Sequence, residues 1–302
     1  MSYEQTIRES VELSGIGLHS GAPVAMRLLP APAGTGVIFR RVDLDNFLIE
    51  ANGHNVAKVS YATSLMKKGV LISTTEHLLS ALIGLGVDNV IIELNNLELP
   101  ILDGSALPIV EAIQKAGVRK QRRKRHYLRI LKEVEFRDGD KFIAVYPWDG
   151  FSVSYSINFP HPLIGHERFD IELMNGNYLQ EIAPARTFGF LHDAPMLKNM
   201  GLIRGASEEN AIVLTRDGVK NGPLRFPDEF VRHKVLDLIG DLALIGHQVL
   251  GRVEADRAGH AMHTALVSRL LRDPSLWEMT TMEADMDHSE PTGASLPQAA
   301  ER

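Results

Sequence analysis

The sequence predicts an α+β protein of two related domains that face each other, on three observations. Short alternating stretches broken by Gly and Pro open the chain and read as antiparallel strands. Residues 76–94 and 232–255 then share one plan: a His in the first turn of an apolar helix, a Gly stop and an apolar strand. Between them, residues 119–125 carry six Lys or Arg in seven positions, with only Gln121 neutral. No aromatic residue interleaves these charges, which favours a solvated linker over an anion-binding patch. At 302 residues the chain is long enough for two cores.

Along the chain, Ile7 to Leu13 and Val24 to Leu29 alternate, with Gly15, Gly17, Gly21 and the Pro30 to Gly36 segment as breaks. Ser73, Thr74 and Thr75 offer capping hydroxyls before an apolar helix, Glu76 to Leu85, stopped at Gly84 or Gly86. Val87 to Leu94 reads as a strand, Leu99 to Ser105 as a strand and turn, and Ala106 to Ala116 as an amphipathic helix ending at Gly117. The pattern restarts at Tyr127, with strands at 127–136, 141–147 and 151–158 and a helix near 175–182. A less regular region, 184–228, holds a helix at 193–200 and a strand at 211–214. A helix at 229–245, Gly246, a strand at 247–255 and a last helix after His260 follow. The expected division is therefore an N-terminal domain over 1–118, a basic linker over 119–126, a C-terminal domain over 127–278 and a disordered acidic tail over 279–302. Residues 283–302 hold five acidic residues, one Arg, two Pro and few apolar groups.

Composition narrows the function classes. The chain is 44% hydrophobic and 23% charged, as soluble globular proteins are. A net charge of -6 and a pI of about 6.1 imply no general affinity for nucleic acid. With no cysteine, neither disulfides nor thiolate metal sites are available. No signal pattern opens MSYEQTIRES and no run approaches a membrane span, so a cytoplasmic location is expected.

The chemistry centres on His233 and Asp237, four residues apart on a helix and so on one face. Alone, the pair reads as a helix-surface hydrogen bond; with His77 from the other domain it becomes a three-ligand set with an open position, as catalytic zinc uses. Glu76 precedes His77 at the helix start, placed to serve as a base for water beside the metal or simply to favour the helix dipole. His260, in a Gly-flanked loop, is a candidate general acid, and Asp241, one turn beyond Asp237, a candidate partner for it. Thr187, between two aromatics in Arg186 to Phe190, can donate to a developing oxyanion or sit in a strand. His19, in a Gly-rich turn, lacks the context of a phosphate-binding loop.

Taken together, GIGLHSG at 15–21, STTEH at 73–77, ILDGSALP at 101–108, ARTFGF at 185–190, LRFPDEFVRHKVLDLIGDL at 224–242 and GHA at 259–261 resemble, in order, the bacterial UDP-3-O-acyl-N-acetylglucosamine deacetylase family. The likeness runs from about residue 5 to about residue 275. It implies an α+β fold of two similar domains, each a mainly antiparallel sheet with helices on one face, the helices sandwiched between the sheets. It implies a zinc amidase that removes acetate from an acylated UDP-sugar, the committed step of lipid A synthesis. His77, His233 and Asp237 match the zinc ligands, Glu76 the base, His260 the acid, Asp241 its partner and Thr187 the oxyanion donor. Lys234, Lys141, Phe159, Phe188, Asp193 and His19 match substrate contacts. The stretch near 190–222 corresponds to an insert that lines an acyl passage, for which Leu197, Met200, Leu202, Ile203, Ala211 and Val213 are suited. Zinc is expected once per chain, with ferrous iron acceptable to the same N/O ligands. A site enclosed within one chain is compatible with a monomer. On the residues alone, an amidase for another acylated sugar and a binding module bridged by His233 and Asp237 stay open.

Overall fold

A computed structural model describes residues 2–57, 61–173 and 176–282. Two sheets, each mainly antiparallel, organise the chain. The first has five strands in the order Val11–Ile16, Pro23–Pro30, Val90–Leu94, Val37–Arg41 and Phe47–Glu50, with one parallel pair, Val37–Arg41 beside Val90–Leu94. Its strand Pro23–Pro30 buries Val24, Met26 and Leu28 on one face, the period-two pattern of a half-buried strand. The second sheet has seven strands around the long Gln248–Asp256, which pairs with Lys141–Tyr146, Phe151–Phe159 and Tyr127–Ile130.

The described residues form six helices. These are α1 (Glu76–Gly84), α2 (Leu107–Ala116), α3 (Tyr178–Glu181), α4 (Ala194–Asn199), α5 (Glu229–Leu242) and α6 (His260–Arg272). α1 and α2 belong with the first sheet, α5 and α6 with the second, and α1 packs directly on α5. Burial on α1 runs unbroken from Glu76 to Leu82, and on α5 from Val235 to Leu242. Helices apolar on all sides belong in the middle of a layered structure, and here they form the seam between the sheets. Gly240 sets how close that seam is: a Cβ there would stand 2.0 Å from the carbonyl oxygen of Glu76. Tyr178 crosses the same seam and donates to Ser80 Oγ at 2.9 Å.

The fold class is as the sequence predicts, and several elements differ in detail. The basic segment expected as a solvated linker over 119–126 has a regular backbone: Val118–Lys124 is a strand, antiparallel to Tyr3–Ile7. Its charges remain largely solvated while its backbone is paired. Ile7 to Leu13 is broken at Arg8–Ser10 into two strands, Tyr3–Ile7 and Val11–Ile16, that belong to different sheets. The strand expected over 127–136 is likewise two, Tyr127–Ile130 and Val134–Asp138, because Leu131 N turns to the carbonyl of Leu276 at 2.8 Å. Leu99 to Ser105 is a turn with a single bridge at Pro100; left-handed backbone at Leu102 and Gly104 ends any strand there. The helix near 175–182 is a single turn, Tyr178–Glu181. The final strand, Trp277–Thr280, pairs with Tyr127–Ile130, so residues 279 and 280 belong to the sheet rather than to a tail. The acidic stretch 283–302 lies outside the described residues. No described helix is long and apolar enough to cross a membrane.

Candidate active site

α1 begins at the site, with Glu76 and His77 as its first residues, and α5 crosses it so that His233, Asp237 and Asp241 line one face at four-residue spacing. His77 Nε2 lies 3.7 Å and His233 Nε2 3.4 Å from Asp237 Oδ1, and the two rings meet edge-on with centroids 5.0 Å apart. One ligand atom from each of the three lies within 4.8 Å of the others, and all three residues are buried. His233 Nδ1 donates to the Ala185 carbonyl at 3.1 Å, which leaves the Nε2 lone pair facing Asp237. Burial, reinforced by neighbouring His233, pushes His77 down to about 3, and burial likewise lowers His233. Burial alone would favour a neutral Asp237. Lys234, whose Nζ donates to Oδ2 at 2.7 Å, and the surrounding imidazoles outweigh it and hold the carboxyl well below its ordinary range.

The neutral His233 ring thus aims a lone pair at a carboxylate, and the neutral His77 ring brings its Nε2 toward the same oxygen. The separations of 3.4 and 3.7 Å exceed the about 2.7–2.9 Å of a charge-assisted hydrogen bond. Nitrogen and oxygen lone pairs repel at such a spacing unless a cation lies among them. The donor set fits zinc, or a divalent transition metal of similar preference.

Beside it, Glu76 Oε2 accepts from the backbone N–H of Thr63 at 3.0 Å, and burial pushes its carboxyl up to about 7. His260, the first residue of α6, sets its Nε2 4.0 Å from Glu76 Oε1 and 3.9 Å from Asp237 Oδ2. Its Nδ1 donates to Asp241 Oδ2 at 2.7 Å. Burial pulls His260 toward the neutral form, but Asp241, with Asp237 and Glu76, pushes it up to about 10. A carboxyl close to neutrality and a firmly protonated imidazole on either side of one space can take and give a proton.

Thr187 is placed by backbone bonds on both sides, its N–H to Gly104 O and its carbonyl to Ile212 N, each 2.8 Å. The loop is tied to α5 by Glu229, which is fully buried. Glu229 accepts from Arg186 N at 3.0 Å, Arg186 Nε at 2.9 Å and Arg225 N at 2.6 Å. Phe188 stands edge-on to Phe230 at 5.0 Å and 5.7 Å from Phe159, with Lys234 Nζ 5.9 Å above its ring. A cavity of about 710 Å³ opens from Thr187 and Phe188, walled by Leu197, Ile203, Ala211 and Val213, with His19 and Tyr61 at its side. Met200 and Leu202, expected in that wall, do not line it, and Met200 is exposed. His19 is fixed by Glu98, which accepts its N–H at 2.8 Å, and its Nε2 is buried without a hydrogen-bond partner among the described residues. Phe159 and Asp193 line a neighbouring cavity of about 660 Å³ with His161, His192 and Arg216. Lys141 lines neither; it is exposed at the start of its strand, next to the Asp140 that Arg257 contacts.

Sequence reasoning missed Thr63, Ala185, Glu229 and His263. For His263 a signal was present, since its spacing of three from His260 puts both on one helix face. Thr63 and the Ala185 carbonyl carried none, because their roles arise only from tertiary approach.

The fold and site together define a class: a two-domain α+β protein with a buried N/O ligand cluster where its domains meet. The chain belongs to the UDP-3-O-acyl N-acetylglycosamine deacetylase (LpxC) family, which it matches over residues 4–272. Similar proteins named UDP-3-O-acyl-N-acetylglucosamine deacetylase occur in Solibacter usitatus and Cellvibrio japonicus. The first is 52% identical over 284 residues, 94% of this chain and 96% of that protein. The second is 45% identical over 287 residues, 94% of this chain and 95% of that protein. A third so named, from Nitratiruptor, is 46% identical over 277 residues, 91% of this chain and 93% of its own.

Proposed function

We propose that the chain hydrolyses the N-acetyl group of a UDP-3-O-acyl-N-acetylglucosamine, releasing acetate and UDP-3-O-acyl-glucosamine, as the committed step of lipid A biosynthesis. The observation that carries this reading is one arrangement: the His77, His233, Asp237 cluster lies beside Glu76 and His260, and the ring of Phe188, which with Thr187 lines the cavity of about 710 Å³, stands 6.5 Å from that of His233. The reaction is assigned to the cytoplasm and to a single chain.

Zinc held by His77, His233 and Asp237 would supply a Lewis acid for the acetamide carbonyl and for water. The residues do the rest. Glu76, raised by burial, accepts the proton of the attacking water. Thr187 donates its hydroxyl to the carbonyl oxygen as charge builds there. His260, kept protonated through Asp241, gives the Nε2 proton to the departing nitrogen. The half-buried ring of Phe188 and the Lys234 ammonium orient the sugar, with His19, Phe159, Asp193 and Lys141 reaching the sugar or nucleotide. The apolar part of the cavity wall, Leu197, Ile203, Ala211 and Val213, takes the acyl chain.

Metal quantitation on the purified protein, paired with an acetate-release assay on the acylated UDP-sugar, tests the reading. One metal per chain is expected, with release abolished by chelation and restored by zinc. Full activity in metal-free protein would reject the metal assignment. Equal turnover on substrates lacking the acyl chain or the UDP would reject the substrate assignment.

A further inference from the structure

α6 turns Leu266, Val267 and Leu270 into the core, and a fourth inward position, His263, is fully buried among them. An apolar side chain would fill that place at no desolvation penalty, so a buried imidazole there needs a polar reason. Its Nδ1 lies 2.8 Å from Asp241 Oδ2, the same oxygen that His260 Nδ1 reaches at 2.7 Å. A carboxylate only accepts, so both nitrogens are donors and the tautomer of each ring is set. The other oxygen of Asp241 accepts from the Thr63 hydroxyl. On its far side, His263 Nε2 stands 3.1 Å from the buried Tyr155 hydroxyl, which itself donates to Ala258 O at 2.7 Å. The Nδ1 hydrogen bond is therefore the contact that fixes His263, with Nε2 packed against the Tyr155 hydroxyl, and burial, opposed by Asp241, lowers its proton affinity.

We propose that His263 is a positioning residue: its Nδ1–H anchors the Asp241 carboxylate in the rotamer that receives His260, so that His260 Nε2 faces the reacting centre. Without it, Oδ2 would be held by His260 alone, the partly exposed member of the group. The acid would then be aimed by a carboxylate fixed only through Thr63 on its other oxygen. The role attributed to His260 rests on the deacetylation reading; the hydrogen-bond role of His263 does not.

The test uses the full-length, metal-loaded protein with His263→Asn and His263→Leu. Asn places an amide N–H where the imidazole Nδ1–H stands, whereas Leu fills the volume without a donor. His263→Leu is expected to lower kcat about 10–100-fold, the usual effect of losing an outer-shell hydrogen bond, with KM and bound metal unchanged, and His263→Asn to recover most of it. Wild-type kcat in His263→Leu, or no recovery in His263→Asn, overturns the proposal. Should the Leu variant not fold, His263→Gln replaces it, since its longer amide leaves Asp241 without that donor; equal kcat in the Gln and Asn variants overturns the proposal. Proton NMR reads the same contact without turnover. Two downfield Nδ1–H resonances are expected in the wild type, and the Leu variant should lose one and shift the other. An unmoved His260 resonance overturns the proposal, whereas a wild type that releases no acetate counts against the deacetylation reading only.

Discussion

Two trios of the same composition, two imidazoles and a carboxylate, centre on Asp237 and Asp241, one helical turn apart on α5. In His77, His233 and Asp237 the closest approaches are 3.4 and 3.7 Å, and His233 spends its Nδ1 on a backbone carbonyl. In Asp241, His260 and His263 both Nδ1 atoms close on one carboxylate oxygen at 2.7 and 2.8 Å. The donor set alone does not distinguish them, since each brings three ligand atoms within 4.8 Å. The nitrogen that faces inward does. A ring tied through Nδ1 elsewhere offers a lone pair to a metal, and a ring tied through Nδ1 to the carboxylate offers a proton instead.

The comparison breaks most visibly at the ligands. His77→Ala is expected to lose the metal and, with several kcal/mol of transition-state stabilisation gone, about 10³-fold or more of turnover. Asp241→Ala should keep its metal by elemental analysis; equal metal loss in both variants would erase the distinction between the trios. His260→Ala should retain metal and lose about 10²–10⁴-fold in kcat, the range of a general acid, and activity near wild type would remove it from that role.

A fourth change acts on both trios at once. Gly240→Ala drives a Cβ against the Glu76 carbonyl, prising α1 from α5, and should destabilise by about 1–3 kcal/mol, read as a lower Tm in thermal unfolding. An unchanged Tm would mean the helices are less closely fitted than the geometry states.

The smallest effect is a displaced pH limb. Glu76 must be ionised to accept a proton, so kcat/KM should fall as pH drops through its pKa, about 7 without metal and lower once a cation sits nearby. His260 must be protonated, so activity should fall again as pH rises toward about 10. Asp241→Asn removes the charge that raises His260 and should bring that alkaline limb to lower pH; a limb that stays put assigns it to another group.

Much of this was legible before the structure. His233, Asp237 and Asp241 share a face because a helix has 3.6 residues per turn, and α1 and α5 are long enough for pattern to name them. The residues suggested the ligand set and the partnership of His260 with Asp241, and the resemblance matched both. What was illegible follows from tertiary approach: the strand over 118–124 is defined by pairing with Tyr3–Ile7, and no local property of six basic residues announces a partner more than a hundred positions earlier. Met200 and Leu202 failed for a related reason, since apolarity alone does not say which way a short loop helix turns.

Glu229 has a consequence for how such a chain can diversify. Because one buried carboxylate joins the Arg186 guanidinium and the Arg225 backbone to the first turn of α5, the segments 184–190 and 224–242 are coupled through a single charge. A chimera that takes either segment from a relative with a different partnering residue would strand a charge in the interior, a penalty of about 3–5 kcal/mol. Recombination in this region should therefore survive only when both segments travel together, while the cavity wall between them, which shares none of that ionic clasp, is free to drift toward new chain lengths.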